Sequence, residues 1–378
     1  MAPLSRLAGG GKNLKKTDGH PAMNDAEKTR QRDAEAGAIR IQHLTLVSVI
    51  RDALEAEGVP APVRDVEAEL MVEADLLGVP SHGVRGLPGL IKALREGRAN
   101  RAPRLQLKRE HAAVCVLDGD NGPGRYVALR GMEHAVDRAR HFGAGICLAV
   151  NTTHWGRAHA YACHAARNGM IGLCTTNAIP NMLAPGSAVP RLANNPLAIA
   201  VPRGPGRDPV ILDMAMSQAA VGKVGTYMRE GRTTPANWGL DNAGQPTNDA
   251  AAIMTSRKFL PMGEHKGAGL ALMMELLTGA LSGGLLSHEI ALVDKTALDP
   301  GASKFFLALD VEAFLGRDRF SARVEDMIDY LRQSAEPGQD ILYPGERGWQ
   351  TRTRYLAEGI PIHHEIAAHL QSIGIELR

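Results

Sequence analysis

Ser81-His82-Gly83-Val84-Arg85 sets an imidazole and a guanidinium three residues apart, just ahead of an apolar run with helical spacing. An imidazole titrates near neutrality and can give or take a proton. A guanidinium is a planar fork that grips a carboxylate through paired hydrogen bonds. Together they suit delivery of hydride to a carbonyl or imine carbon beside a carboxylate, with His82 as proton donor and Arg85 holding the substrate. Ser81 is placed to cap the next helix, whose dipole lowers the His82 pKa while a bound carboxylate raises it again. Ser81 is not read as a nucleophile, because adjacent side chains seldom align as nucleophile and base. A capping serine beside two solvated side chains is the plainer reading of the same residues.

Other constellations are weaker one by one. His154 follows a buried apolar run and precedes a helical segment, at the carboxyl edge of a sheet where α/β proteins bind ligands; a structural loop histidine is the alternative. His154, His159 and His164 recur every fifth residue, which turns successive side chains by about 140° on a helix and keeps them from one metal. His364-Glu365 with His369 misses the zinc-binding His-Glu-x-x-His spacing by one residue, so no metal site is expected. Leu212-Asp213-Met214-Ala215-Met216-Ser217 closes a strand. Asp213 there can accept from a sugar hydroxyl and Ser217 can reach a phosphate, or Asp213 merely caps the next turn; Met214 and Met216 read as packing. Lys266-Gly267 opens a long helix whose free N–H groups and ammonium make an anion site. A lysine opposes the dipole there and so asks for a reason. Tyr343-Pro344-Gly345-Glu346-Arg347 reads as a tight, charged turn.

These residues need elements to hold them. The apolar spacing predicts helices over 42–57, 63–77 and 87–95, so the N-terminal part is helical. Strands are expected near 112–117, 145–150, 171–175, 197–201, 210–212 and 305–309, with helices at 128–141, 158–168, 268–281, 324–333 and 363–373. Asp118-Gly119-Asp120-Asn121-Gly122 reads as a turn cluster. The alternation of helices and strands is that of an α/β protein with a sheet covered by helices. No Gly-x-Gly-x-x-Gly joins a strand to a helix and no Walker-type loop is present, so a Rossmann fold is not supported.

Composition narrows the classes. The chain has 378 residues, enough for one large or two ordinary domains. A net charge of +2 and 4% aromatic content point away from nucleic acid and acidic membranes as partners. Cys115, Cys147, Cys163 and Cys174 form no Cys-x-x-Cys pair and fall in apolar or helical segments, which fits a reduced, cytoplasmic setting. The most apolar stretch, Ala268 to Leu286, contains Glu275 and several glycines, so it reads as a buried helix and a turn rather than a membrane span. Residues 1–38 lack the apolar core of a signal peptide and are expected to be a disordered extension, with Met23 an alternative start. The division expected is a helical region over 39–110 that packs with C-terminal helices in 311–378, and a sheet and cofactor domain over 111–310.

The order of these motifs resembles the malate/L-lactate dehydrogenase-like family of NAD(P)-dependent oxidoreductases, also called sulfolactate dehydrogenase-like. The matching pieces are Ala74-Asp75-Leu76 with Ser81-His82-Gly83, Leu117-Asp118-Gly119-Asp120, Asn151-Thr152-Thr153-His154-Trp155-Gly156, Asn195-Pro196, Leu212 to Ser217, Gly222-Lys223, Lys266-Gly267 and Pro344-Gly345-Glu346, spread over residues 40 to 375. Leu281-Ser282-Gly283-Gly284 through His288-Glu289-Ile290, with Met216-Ser217-Gln218, looks most like the diketogulonate reductase branch. The resemblance implies a non-Rossmann three-layer fold with a mixed, largely antiparallel seven-stranded sheet, and a homodimer. It implies NAD or NADP as cofactor and a small-molecule carboxylate as substrate, either a 2-oxo or 2-hydroxy acid or a cyclic 2-imino acid such as piperideine- or pyrroline-2-carboxylate. It assigns His82 to acid–base work, His154 to the substrate or a second acid–base role, and Ser81 and Arg85 to the substrate. Asp213, Met214, Ala215, Ser217, Lys266, Gly267, Gly345, Glu346 and Arg347 fall to the cofactor. The chain departs from the family at Ala193-Asn194, where Gly-Thr is common, at Ala178, where a serine is common, and at His265, where an aromatic is common. A non-catalytic dinucleotide-binding protein is the rival from another class.

Overall fold

The computed structural model describes residues 38–293 and 299–377. The extension expected over 1–38, with Met23, lies outside the described residues except for Ala38.

The helical region opens with β1 (Ile39–Ile41), α1 (His43–Ala56) and α2 (Ala61–Leu76). Two 3-10 turns, Pro80–His82 and Val84–Gly86, lead into α3 (Leu87–Arg95). Leu46, Ile50 and Leu54 of α1 form one stripe that packs on Met71 of α2 and on Leu87 and Leu94 of α3, the 3.6-residue periodicity of a core-facing helix.

The sheet region contains β2 (Gln106–His111), β3 (Val114–Gly122), α4 (Gly124–Phe142), β4 (Ala144–Thr152), α5 (His159–Arg167), β5 (Met170–Thr176), β6 (Leu197–Val201) and β7 (Val210–Met214). A small lobe follows, with α6 (Val221–Arg229), β8 (Gly239–Leu240), α7 (Ala250–Ser256) and β9 (Lys258–Phe259). The chain returns through α8 (His265–Glu275), a π turn at Leu276–Ala280, α9 (Ser287–Val293) and β10 (Ala302–Asp310). It ends with α10 (Val311–Phe314), α11 (Arg317–Arg332), α12 (Glu346–Glu358), β11 (Ile360–Ile362) and α13 (His364–Ser372).

The seven-stranded sheet runs β2-β3-β4-β10-β5-β6-β7. Only β3 and β4 pair in parallel; every other neighbour is antiparallel. This is the mixed, largely antiparallel sheet expected. The late strand β10 slots between β4 and β5, and Ala302 to Phe306 are buried throughout, as a strand covered on both faces requires. Helix α4 crosses it closely: a Cβ on Gly131 would sit 2.5 Å from the Phe306 ring. Tyr355 of α12 and Leu370 of α13 enter the N-terminal helical core, and β11 pairs with β1. Val324 and Ile328 of α11 pack against the sheet instead.

Several elements differ from expectation. β3 continues through the Asp118–Gly122 cluster, but Asp120 and Asn121 have φ of 50° and 51° and the register with β4 shifts there, so the expected turn is a bulge within a strand. Edge strand β2 is exposed along its whole length and carries no apolar alternation to betray it. The turn expected at Tyr343–Arg347 is in part the start of α12, with Gly345 at φ 93° as its left-handed entry. The Ala268–Leu286 stretch is not a buried helix. Leu270, Leu272, Met273, Leu276 and Leu281 are 39% to 60% exposed, because this helix buries its other face, Gly267, Ala268, Ala271, Met274 and Glu275.

The Phe306 ring fills the space between α4, Trp155 and Tyr161. Phe306→Ala is expected to cost about 3–5 kcal/mol of stability, the range for an unfilled aromatic site. Chemical denaturation checks it, and a loss below about 1 kcal/mol would contradict this account of the core.

Candidate active site

The Ser81–Arg85 stretch does not start a helix; α3 begins only at Leu87. Its shape is set by Asp75, a buried carboxylate on α2 that accepts from the Val84 N–H at 2.8 Å. A Cβ on Gly83 would lie 1.9 Å from Asp75 Oδ1, so no other residue fits. Burial pushes Asp75 up to about 7, against the opposing pull of the Val84 hydrogen bond and Arg125. Ser81 therefore caps nothing. Its Oγ lies 2.9 Å from His82 Nδ1, so these neighbours do meet, because a 3-10 turn winds more tightly than an α-helix. Helix α6 covers this turn: a Cβ on Gly222 would stand 2.8 Å from Ser81 Cβ and 4.0 Å from His82 Cε1.

Arg125, at the start of α4, joins the two halves of the site. Its Nη2 donates to the His82 carbonyl at 2.9 Å and its Nη1 to Glu67 Oε2 at 3.1 Å. Glu67 in turn accepts from the Tyr126 N–H at 3.0 Å. A Cβ on Gly156 would come within 2.7 Å of Arg125 Nε, so the loop carrying His154 rests on the same guanidinium. His154 Nδ1 accepts from the Gly156 N–H at 3.2 Å, which fixes the ring's tautomer with its proton on Nε2. The His82 and His154 rings lie nearly parallel, 6.0 Å between centroids and 18° between planes. Seventy-two residues of sequence separate them, and the structure brings them together as the functional reading requires.

An open cavity of about 210 Å³ is lined by His82, Arg85, Arg125 and His154 among others. Burial lowers His82 to about 4; Asp213 opposes this, and Arg157, Arg125 and Arg85 add to it. The lowered pKa was expected, but its cause is desolvation and guanidinium charge rather than a helix dipole. His154 is held well below its ordinary value by burial first, then by His82, Arg125 and Lys304. Arg85 makes no hydrogen bond or ion pair among the described residues. Burial and the nearby Arg229 lower its pKa, so its fork is available to an incoming anion.

The residues expected at the cofactor are placed unequally. Asp213, at the end of β7, is held by Arg157 Nε at 2.6 Å. Met214 and Ala215 are half-buried beside it, while Ser217 is buried and donates to the Ala219 carbonyl at 2.7 Å. Lys266 is exposed at the start of α8. The amides there are not free, since the Lys266 N–H donates to Gly263 O and the Gly267 N–H to Met262 O. Gly267 is required by packing: a Cβ would fall 2.6 Å from the Met216 carbonyl. Gly345 presses on Ile211 of β7, Glu346 accepts from Arg332 and from the Tyr343 N–H, and Arg347 is exposed. Asn195, in the stretch where the chain departs from the family, spends its amide on Ala271 O at 2.9 Å and Glu275 Oε2 at 3.1 Å.

Glu67, Asp75, Arg125, Arg157 and Lys304 escaped the sequence reading as site residues. A signal existed for three of them. Glu67 and Asp75 sit on the buried stripe of α2 and Arg125 on that of α4, and a charge on an apolar stripe implies a buried partner.

Comparison with known proteins follows from this geometry. Residues 41–371 match the family model described as malate/L-lactate dehydrogenase. The chain is 34% identical to malate dehydrogenase of Pyrococcus horikoshii over 89% of its length and 95% of that protein's. It is 30% identical to 2,3-diketo-L-gulonate reductase of Citrobacter koseri over 85% and 96% of the two chains. The structure of delta1-piperideine-2-carboxylate reductase from Pseudomonas syringae superposes with a TM-score of 0.80 at 29% identity, covering 89% of this chain and all of that one.

Because Asp75 binds its proton more tightly folded than unfolded, its contribution to stability is present at low pH and fades as pH rises through about 7. Asp75→Asn keeps an acceptor for the Val84 N–H and removes that dependence. Its melting temperature relative to the wild type should therefore climb between pH 5 and pH 8, and a constant difference would rule out this role for Asp75.

Proposed function

The chain belongs to the malate/L-lactate dehydrogenase family, and on that premise we propose that it reduces a small 2-oxo acid, or oxidises the corresponding 2-hydroxy acid, with NAD or NADP. The observation that carries this reading is the pair of stacked imidazoles facing a cavity beside an uncommitted arginine. Arg85 grips the carboxylate and Ser81 fixes the His82 ring through Nδ1, leaving Nε2 to exchange the proton with the substrate oxygen. His154 stands opposite as a neutral hydrogen-bond donor to the substrate. The anionic substrate raises the His82 pKa on binding, which charges the ring for reduction; in the free protein the neutral ring is ready as the base for oxidation.

The residues around β7 fit a dinucleotide. Segments far apart in sequence converge there: Met262 N–H donates to the Met216 carbonyl at 2.8 Å, which brings Lys266 and Gly267 beside Asp213 to Ser217, and Pro344 O accepts from the Ile211 N–H at 2.8 Å, which brings in Gly345, Glu346 and Arg347. Asp213, Met214, Ala215, Ser217, Lys266, Gly267 and Gly345 to Arg347 would hold the cofactor, with Lys266 and Arg347 as exposed cations for its phosphates. When bound, the reduced nicotinamide supplies the hydride.

The likeness to the piperideine-2-carboxylate reductase structure supports a second reading, in which the substrate is a cyclic 2-imino acid and His82 protonates nitrogen. A panel of 2-oxo acids and cyclic imines with both reduced cofactors separates the two. Cofactor binding without turnover on any member would favour a non-catalytic dinucleotide-binding protein. The exposed apolar face of Leu270, Leu272, Met273 and Leu276 is of the kind that mediates association; we assign it to a second copy of the chain, in a cytoplasmic homodimer.

His82→Ala is expected to lose on the order of 10²–10⁴ in kcat, and near-wild-type turnover would remove His82 from the mechanism. With His82 at about 4 in the free protein, kcat/KM for oxidation should stay level down to about pH 5 and fall only below it. An acid limb centred near 6.5 would show instead an ordinary, solvated histidine. Light scattering should give twice the chain mass, reverting to one chain in a Met273→Glu, Leu276→Glu variant; an unaltered mass in that variant would place the interface elsewhere.

A further inference from the structure

Lys304 is fully buried near the start of the central strand β10, where a charged side chain is costly and seldom found. Its ammonium is aimed at one loop. Nζ donates to the Thr153 carbonyl at 2.9 Å and to Thr152 Oγ1, and it lies 5.8 Å from the centroid of the Trp155 ring. These three residues bracket His154. The loop is otherwise secured by Thr152 Oγ1, which donates to Ala302 O at 2.8 Å, and Thr153 Oγ1, which donates to Gly122 O at 3.0 Å. The lysine therefore anchors the chain leading into His154.

The charges around the two imidazoles are unlike. His154 faces His82 from the 3-10 turn, Arg125 from α4 and Lys304 from β10, all positive when protonated. His82 faces Arg125, Arg157 and Arg85, but also the Asp213 carboxylate. Burial lowers Lys304 to about 7, and Asp299, ahead of β10, opposes this, so the ammonium is charged on the acid side of that value. An added proton is thus disfavoured on His154 more than on His82.

Resting on the reductase reading above, we propose that Lys304 is a positioning residue for His154: it clamps the Thr152–His154 loop, and its charge adds to the burial that disfavours a proton on that imidazole, so that the proton of the reaction resides on His82.

The test is imidazole ¹⁵N NMR of the histidine-labelled full chain, with the His154 signal identified by its loss in His154→Gln. In the wild type His154 should remain neutral from pH 8 down to pH 5. In Lys304→Met and Lys304→Gln its titration midpoint should rise by about one unit or more, the scale of a removed nearby charge. Lys304→Gln keeps a donor for the Thr153 carbonyl, so it should retain more kcat than Lys304→Met while showing the same shift. An unchanged titration in both variants would overturn the proposal, as would failure of both to fold, which would assign Lys304 to the core alone. The NMR readout needs no turnover. A shift in a protein that reduces nothing sinks the reductase reading and spares the clamp; full activity without a shift does the reverse.

Discussion

The site rests on one buried ion pair. Glu67 on α2 and Arg125 on α4 meet out of water, their side chains 1% and 6% exposed, and the guanidinium spends its other arm on the His82 carbonyl. Without its partner a buried charge of this kind destabilises by about 3–5 kcal/mol, so neither residue is free to vary alone. The pair does more than hold two helices together. It ties the 3-10 turn of His82 to the loop of His154, two segments that share no element. The carbonyl contact and the tight approach of Gly156 transmit the position of Arg125 to both rings.

The electrostatic balance around that pair follows a single pattern. Arg85, Arg125 and Arg157 surround His82, and Asp213 is the carboxylate that answers them, already paired with Arg157. Both imidazoles are consequently neutral in the free protein at ordinary pH. The missing charge is negative, and it is what a small carboxylate substrate brings. On the reading proposed above, binding and protonation are one coupled event: the anion pairs with Arg85 and at the same time stabilises a charged His82.

Local chemistry was legible in the sequence where covalent adjacency preserved it. Ser81 to Arg85 and the strand–loop–helix setting of His154 could be read directly, and so could the α/β class, from alternating apolar segments. The sheet's mixed topology came from family resemblance, since no local pattern tells β10 to slot between β4 and β5. Tertiary partners were not legible. Glu67 and Arg125 lie far apart in the chain, and Lys304 is hidden in the apolar run before Phe305-Phe306-Leu307. β2 was missed because an exposed edge strand has no buried face to impose alternation, and the glycine-rich α6 because its helicity comes from packing rather than propensity. α8 was misread because composition cannot say whether an apolar face meets a sheet or solvent.

The most direct measurement is steady-state turnover of Arg125→Lys. Lysine can still reach Glu67 and keep the charge, but a single ammonium cannot also fork to the His82 carbonyl. The account expects a folded protein with unchanged cofactor affinity and a kcat lower by on the order of 10²-fold, the scale of a misplaced catalytic group. A kcat equal to that of the wild type would show that the two histidines hold their places without Arg125, and the account would fail.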